Sequence, residues 1–299
     1  AGVGGAELVL RQEDSKSSTS ILTKEVSTTP TNLSVSTNAS NGNVVEVAQA
    51  VMPAVVGVNT YASTSDLFGQ QGGLMQGYMM PRSNQKLDDY TQVSYGSGVI
   101  ISQDGLIITN NHVISSGSKV SVTLSDGTQY EAKILGQDES SDLAVLKIEA
   151  TNLKAVSIGS SKDLQVGQSV VAIGNPLSEE FSQTVTNGII SGVNRKLKAD
   201  NQSFSLIQTN AAINSGNSGG ALVDSNGKLI GINTAKISAE GVEGIGFAIP
   251  IDEAMTIVQE LVDKGSIEHA YIGFSGYLLT EELAKQAGVD YKGGVIVAS

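Results

Sequence analysis

Ser218 lies in the run Gly216-Asn217-Ser218-Gly219-Gly220, with glycines on both sides of it. Glycines allow backbone amides to come close to whatever the hydroxyl attacks, which is how a nucleophile for acyl transfer is usually presented. A serine hydroxyl is a weak nucleophile alone, so it needs a base to take its proton and a third group to orient that base. The run therefore predicts a serine nucleophile, provided that the chain supplies both partners.

The choice of base is narrow, because the chain contains two histidines, His112 and His269. His112 follows the apolar residues 106–108 at a predicted strand end, where a side chain can face a cleft. His269 precedes the separate C-terminal segment, which favours an ordinary surface histidine. We therefore identify His112 as the candidate general base.

The third group of such a site is a carboxylate that holds the imidazole in one tautomer. Asp142 immediately precedes the nearly continuous apolar run 143–148, which anchors it at the edge of a core. Asp138 stands among Gln, Glu and Ser, and this setting favours a solvated turn residue. Asp142 is accordingly the candidate orienting group, and the three residues follow one another in the order His, Asp, Ser.

The segments around these residues are short and rich in β-forming side chains. Turns are predicted at Asp104-Gly105, Asp126-Gly127 and Asn226-Gly227, dipeptides that favour tight hairpins. The pattern predicts an all-β sandwich or barrel, without the alternating helices of a parallel sheet. The predicted strands are 54–58, 98–102, 106–109, 119–124, 130–135, 143–148, 169–173, 184–191, 205–209, 221–223, 229–233 and 245–249.

Composition shifts divide the chain into three parts. Residues 1–42 are mostly rich in Ser, Thr and Asn and predict a flexible tether. Residues 43–266 form the β domain, with a short helix after Asn43, a long Gly-, Gln- and Met-rich loop over 60–93 and a closing helix from Asp252 to Lys264 that Gly265 ends. Residues 267–299 predict a strand, a helix and a second strand, too few for an independent domain.

Composition also excludes several classes of function. The formal net charge is −12 without any basic run, which argues against a nucleic-acid partner. The chain has no cysteine, so it is neither a thiol enzyme nor a cysteine-ligated zinc protein. No stretch reaches the roughly 20 apolar residues of a membrane span, and no Gly-rich nucleotide loop is present. We expect no cofactor and no metal; the small, apolar start at Ala1 is compatible with the remainder of an upstream membrane anchor.

At this point the sequence resembles the HtrA/DegP family of trypsin-like serine proteases. The resemblance extends from about residue 43 to residue 299. Its motifs are Thr109-Asn110-Asn111-His112-Val113-Ile114, Ser141-Asp142-Leu143-Ala144-Val145-Leu146-Lys147, Ala172-Ile173-Gly174-Asn175-Pro176, Gln208-Thr209-Asn210-Ala211-Ala212-Ile213-Asn214, the run around Ser218, and Gly246-Phe247-Ala248-Ile249-Pro250.

The resemblance implies a chymotrypsin-like double β-barrel with the catalytic residues His112, Asp142 and Ser218 in the cleft between barrels. The amides of Gly216 and Ser218 would form the oxyanion hole. The neutral Asn217, where digestive relatives carry an aspartate, argues against activation by propeptide cleavage. Ala212 would form the base of the specificity pocket and Asn233 and Thr234 its wall, which favours small or medium apolar substrate side chains.

The resemblance also implies how such a protein works. It predicts an ATP-independent endopeptidase for unfolded or misfolded proteins outside the cytoplasm, at a bacterial cell surface or envelope, assembled as a homotrimer. The 60–93 loop would be the long loop that relatives use to regulate access or assembly, and a disordered surface loop is the alternative for the same residues. Residues 267–299 resemble the first part of a PDZ domain (α+β), with Tyr271-Ile272-Gly273-Phe274 as the loop for a peptide carboxylate.

Two rival readings and one departure remain at this stage. A non-proteolytic chaperone or peptide-binding protein of the same fold, held in a resting state, is the main alternative. A cell-surface β-sandwich adhesin on a Ser/Thr stalk would explain residues 1–42 and the acidity, but not the ordered motifs. The departure is Asn210, where many relatives have aspartate, and it predicts altered hydrogen bonding in the activation loop rather than inactivity.

Overall fold

The computed structural model describes residues 44–63, 90–175, 183–199, 202–235, 244–267, 275–290 and 293–298. The predicted tether, most of the predicted 60–93 loop and the Tyr271–Phe274 segment lie outside the described residues. The chain divides into two compact units, residues 1–267 and residues 268–299. The first of these units carries the candidate site.

The first barrel of this unit is closed by six antiparallel strands in the order β1-β2-β3-β6-β5-β4. The strands are β1 (Val55–Ser63), β2 (Tyr90–Ile100), β3 (Leu106–Thr109), β4 (Lys119–Thr123), β5 (Gln129–Asp138) and β6 (Leu143–Lys147). Strand β1 pairs with both β2 and β4, and this double pairing leaves the barrel without a free edge.

The second barrel contains six strands in the order β11-β8-β9-β10-β13-β12, and the pairing of β11 with β12 closes it. A two-residue strand, β7, adds in parallel to β12. The strands are β7 (Ser157–Ile158), β8 (Ser169–Gly174), β9 (Thr184–Ala199), β10 (Gln202–Thr209), β11 (Ala221–Asp224), β12 (Lys228–Thr234) and β13 (Gly246–Pro250).

Three apolar clusters account for the packing. One fills the first barrel and includes Val58, Ile107 and Leu146. Another fills the second barrel and includes Ile190 and Leu222. The largest draws residues from strands of both barrels and from two helices, α1 (Val44–Val51) and the closing helix Ile251–Lys264. The barrels are therefore fixed against each other by a continuous apolar layer, which is what holds residues from both at one cleft.

The helices follow from local sequence signals. The closing helix ends at Gly265, whose φ of 78° is the left-handed conformation that glycine adopts without cost. One turn of helix that the sequence did not predict, α2 (Asn111–Ile114), follows β3 and carries His112. We number the closing helix α3.

The strands run further than expected where side chains are polar. Strand β1 continues to Ser63 and β2 begins at Tyr90, so residues 60–63 and 90–93 of the predicted loop are paired strand. Strand β9 continues to Ala199 and pairs with β10 beyond the predicted end at 191. Both extensions are hairpin arms with few buried apolar side chains, Ala62 and the partly buried Leu197 among them, so hydrophobic periodicity is too weak to reveal them.

The second unit has a two-stranded sheet of β14 (Ser275–Leu278) and β15 (Val295–Ala298) and a helix, α4 (Glu281–Ala287). The side chain of Thr280 caps α4 by accepting the Leu283 N–H. None of the helices in the described ranges is long and apolar enough to cross a membrane.

Candidate active site

His112 and Asp142 are joined by a short hydrogen-bonded contact. The ring Nδ1 lies 2.8 Å from Asp142 Oδ2 and 2.9 Å from Oδ1. The backbone N–H of His112 also donates to Oδ1 at 3.0 Å. The carboxylate thus fixes both the ring and the peptide from which it projects, and it favours the tautomer with the proton on Nδ1.

Ser218 completes the chain of contacts. Its Oγ lies 2.9 Å from His112 Nε2, the nitrogen that is left free to accept a proton. The backbone N–H of Ala235 donates to the same Oγ at 2.9 Å. Ser218 is fully buried and the His112 side chain is 30% exposed. The arrangement can move the hydroxyl proton to an oriented base, which is the chemistry of nucleophilic acyl transfer.

Asp142 is held in an unusual backbone conformation. Its φ is 56°, in the left-handed region that non-glycine residues seldom adopt and that Asp tolerates better than most. Its carbonyl oxygen accepts from the backbone N–H of Asn111 at 3.1 Å and from the side chain of Asn110 at 3.0 Å. These bonds tie the loop before β6 to the start of α2, so the acid and the base are positioned by adjoining turns of the first barrel.

A fourth side chain reaches the acid from the other barrel. Thr234, at the end of β12, donates its hydroxyl to Asp142 Oδ2 at 3.0 Å, and Thr234 is almost fully buried. The carboxylate therefore has a donor on each oxygen in addition to the imidazole. A buried carboxylate is stable only with such partners, and this one draws them from both barrels.

The nucleophile loop is fixed by Ser97 of strand β2. The Ser97 hydroxyl donates to the carbonyl of Gly216 at 2.8 Å, and the Ser97 N–H donates to the carbonyl of Ser218 at 2.8 Å. A third bond runs from the Asn175 N–H to the same Ser97 hydroxyl, at 2.8 Å. Sequence patterns gave no role to Ser97, because its partners lie far away along the chain.

Gly219 shows why glycine follows the nucleophile. Its φ is 83°, and a Cβ there would run into a carbonyl oxygen of β2 and the hydroxyl of Thr109. Any side chain would therefore push the nucleophile loop away from the first barrel, so the glycine-rich run has a steric as well as a conformational origin.

The chain is similar to known proteins in sequence and in fold. Residues 96–232 match the family model of the trypsin-like peptidase domain. The serine protease Do-like HtrA of Bacillus subtilis is 43% identical over 240 residues, which cover 77% of this chain and 51% of that protein. The solved structure of the HtrA-type protease AlgW with a decapeptide superposes with a TM-score of 0.67 at 37% identity, covering 86% of this chain and 78% of that one.

The chain belongs to the HtrA-type serine proteases. The periplasmic serine endoprotease DegP of Escherichia coli strain K12 is 40% identical over 275 residues, covering 84% of this chain and 57% of that protein. The chain thus spans about half the length of the curated relatives it matches.

In this HtrA-type chain, Gly216 lies inside one turn of 3-10 helix, Ser215–Asn217, and Ser218 follows that turn. The turn is closed by a hydrogen bond from the Asn217 N–H to the Asn214 carbonyl at 3.0 Å. In a regular 3-10 turn the Ser215 carbonyl faces the Ser218 N–H. The C=O and N–H of a trans peptide point in opposite directions, so in that regular form the Gly216 N–H points away from Ser218. An oxyanion hole from both amides stays a prediction, and from the regular form it requires the Ser215–Gly216 peptide to rotate.

The residues predicted for the specificity pocket lie in different surroundings. Ala212 is exposed, and its carbonyl accepts from Thr186 Oγ1 at 3.0 Å and from Asn217 Nδ2 at 2.9 Å. Asn233 is fully buried, and its side chain donates to the Ala221 carbonyl at 3.0 Å. The Thr234 hydroxyl is engaged by Asp142, as described above. Asn233 and Thr234 therefore carry internal bonds that the sequence did not suggest.

Two asparagines near the nucleophile accept backbone hydrogen bonds through their side-chain oxygens. Asn217 Oδ1 accepts the Asn214 N–H at 2.9 Å, a hydrogen bond that closes the 3-10 turn. Asn210 Oδ1 accepts the Ile189 N–H at 2.7 Å. An aspartate at position 210 could accept the same bond, so the departure from the family pattern keeps an acceptor in place.

Proposed function

We propose that this HtrA-type chain is a serine endopeptidase that hydrolyses unfolded or misfolded polypeptides through an acyl-enzyme. The observation that carries the proposal is the continuous contact from Asp142 through His112 to the Ser218 hydroxyl, at 2.8 and 2.9 Å. Reacting groups already placed within hydrogen-bond distance remove much of the entropy cost of the first chemical step.

In the proposed mechanism, His112 Nε2 takes the proton of Ser218 as its Oγ attacks the scissile carbonyl. His112 then gives that proton to the leaving amine, so the peptide bond breaks and an ester on Ser218 remains. Water, deprotonated by His112, hydrolyses the ester and restores the hydroxyl. Asp142 stays ionised throughout and stabilises the imidazolium. No nucleotide or metal takes part in these steps.

A resting state of the same enzyme is the second candidate, and the 3-10 turn at Ser215–Asn217 favours it. In the regular form of that turn the Gly216 amide is turned away, so one of the two donors that stabilise the oxyanion is missing. Loss of one such donor typically lowers the rate on the order of 100-fold or more. We propose that binding of an unfolded chain rotates the Ser215–Gly216 peptide and so turns on hydrolysis, with the resting form left as a peptide binder.

The remaining parts of the proposal rest on the resemblance to the family. We propose action outside the cytoplasm, in line with the periplasmic proteins among the relatives. An upstream membrane anchor, a homotrimer, a regulatory 60–93 loop and a partial PDZ domain over 267–299 belong to the same proposal. A preference for small or medium apolar residues before the cleaved bond follows from the neutral side chain of Ala212. Light scattering after gel filtration would test the trimer directly.

The deciding experiment is labelling of Ser218 with a fluorophosphonate, with and without an unfolded protein such as casein. We expect labelling and casein cleavage in the native chain and neither in Ser218→Ala. Faster labelling in the presence of casein supports the resting state, and an equal rate argues against it. Cleavage that persists undiminished in Ser218→Ala would overturn the proposal.

A further inference from the structure

Asn110 occupies the N-cap position of α2 but does not cap it. Asparagine at an N-cap ordinarily accepts a backbone N–H of the first turn through its own side chain. Here Asn110 makes no such bond, although its backbone has the extended conformation of a cap. The His112 N–H in that turn is instead satisfied by Asp142 Oδ1, at 3.0 Å. The Asn110 side chain is therefore released from its usual local role.

The released side chain is fully buried and lies between two members of the triad. Its Nδ2 donates to the backbone carbonyl of Asp142 at 3.0 Å, and the Ser218 hydroxyl donates to its Oδ1 at 3.2 Å. The orientation of the amide is fixed by chemistry, because a carbonyl oxygen can only accept and so must face the NH2 group. The amide oxygen is thereby aimed at the nucleophile.

The Ser218 hydroxyl consequently has two acceptors for its single proton, His112 Nε2 at 2.9 Å and Asn110 Oδ1 at 3.2 Å. While His112 is neutral, its Nε2 lone pair can accept that proton. Once His112 is protonated, Nε2–H becomes a donor to Ser218 Oγ, and the hydroxyl proton needs another acceptor. Asn110 Oδ1 is the acceptor within reach among the described residues.

We propose that Asn110 is a positioning residue that stabilises protonated His112 beside the intact Ser218 hydroxyl, and so helps set the pH at which the protease becomes active. The charged group that pairs with His112 in the described part of the chain is Asp142. The neighbouring strand β12 and the nucleophile loop present the neutral Thr234, Ala235 and Ser218. The inference rests on the proposed function, since it concerns the base and nucleophile of that reaction.

The size of the effect follows from the hydrogen bond that is lost. A neutral buried hydrogen bond contributes a net amount equivalent to about three- to tenfold in an equilibrium constant. Asn110→Ala should therefore move the acid limb of the kcat/KM profile, the part where activity falls as pH is lowered, to lower pH by about half a unit to one unit. One pH unit corresponds to a tenfold change in the protonation equilibrium. A purely structural role would lower kcat/KM without moving this limb. The limb reports the free enzyme, in which Ser218 still carries its hydroxyl.

Nuclear magnetic resonance gives a readout that does not depend on activity. The chain has two histidines, so His269→Gln leaves the His112 ring as the single imidazole signal. In this background we expect Asn110→Ala to lower the titration midpoint of that signal, whereas Asn226→Ala, which changes an exposed asparagine, should leave it unchanged.

A double-mutant cycle with Ser218→Ala separates the hydroxyl route from mere support of Asp142. Without the hydroxyl, Asn110 is disconnected from the imidazole, so Asn110→Ala should then shift the midpoint little. An equal shift in both backgrounds, or no shift in either, would overturn the inference. If Asn110→Ala loses its native near-ultraviolet spectrum, Asn110→Ser replaces it, with the same shift expected.

The cycle also distinguishes failure of this inference from failure of the proposed function. An unlabelled and inactive native chain would contradict the proposed protease, while the imidazole titration would still report the contact of Asn110. An active native chain whose acid limb and ring signal are unaffected by Asn110→Ala would contradict the inference alone.

Discussion

Asp142→Asn is the substitution whose consequence the structure specifies most closely. The amide has two possible orientations, and the surroundings select one. Its NH2 group cannot occupy the Oδ1 position, because the His112 backbone N–H points there from 3.0 Å and two donors would face each other. It can occupy the Oδ2 position, because the hydroxyl of Thr234 can turn its proton away and accept.

In that orientation the amide NH2 faces His112 Nδ1 across the 2.8 Å contact and donates to it. The ring proton is then driven to Nε2, the atom that must accept from Ser218. A base locked in the wrong tautomer lowers kcat by about 10⁴-fold in the comparable triad, which is about 5.5 kcal/mol of transition-state stabilisation at 1.36 kcal/mol per tenfold. We expect a loss of this order in kcat/KM for a peptide substrate.

The fold should survive, because asparagine tolerates the φ of 56° at position 142 and has nearly the same shape. Asp138→Asn is the matched control. The sequence predicts a solvated turn residue at Asp138, but it is buried at the end of β5, and its carboxylate accepts the Ser141 N–H, a bond that an amide oxygen also accepts. We expect its kcat/KM to stay within about threefold of the native value, under about 0.7 kcal/mol.

The assay combines kcat/KM with ¹⁵N spectra of His112 in the His269→Gln background, which report the tautomer. A fall of less than about 100-fold, or just under 3 kcal/mol, together with a proton still on Nδ1, would refute the reasoning. A large fall in activity with loss of the native spectrum would instead show damage to the fold.

Further predictions concern the supports of the site. Thr234→Val removes a donor to the buried carboxylate of Asp142 and should lower the free energy of unfolding by about 1.5 to 3 kcal/mol in urea denaturation, with Thr234→Ser near native. Gly219→Ala should abolish fluorophosphonate labelling, because its Cβ meets β2, whereas Gly127→Ala at a φ of 84° has open space and should cost only about 1 kcal/mol of unfolding free energy. Hydrogen bonds from the loop at 160–161, the backbone N–H of Ser161 foremost, lower the pKa of Asp252 below its ordinary value. The stability that Asp252 contributes is thus present above its unfolded pKa and is lost as pH falls through the lower folded pKa. The urea midpoint of Asp252→Asn should therefore fall less on acidification than the midpoint of the native chain. Plots of midpoint against pH that run parallel for the two proteins would contradict this.

Much of the fold could be predicted because its signals are local. Apolar runs such as 106–109 and 143–147 are buried strands, and a left-handed glycine ends α3 at position 265. Hairpin arms escaped prediction, since residues 193–196 of β9 are exposed and the arm continues to Ala199 by pairing with β10. Cross-strand pairing is a property of two distant segments, and periodicity along one of them cannot report it.

The candidate site also has features that the sequence predicted and features that it could not predict. Scarcity of residue types singled out His112, because one other histidine and no cysteine compete with it, and the glycines around Ser218 marked the nucleophile. The amino-acid sequence by itself therefore determined which groups can react and in which order they follow one another.

Only the tertiary structure decided how these groups are held. Thr234 lies 92 residues from Asp142, and Asn110 lies 108 residues from Ser218, yet each makes a hydrogen bond to it. The 3-10 turn that contains Gly216 is likewise held by a distant residue, since the Ser97 hydroxyl donates to the Gly216 carbonyl. The physical reason is that hydrogen bonds depend on distances and angles in space, and these arise when two closed barrels pack across one apolar layer.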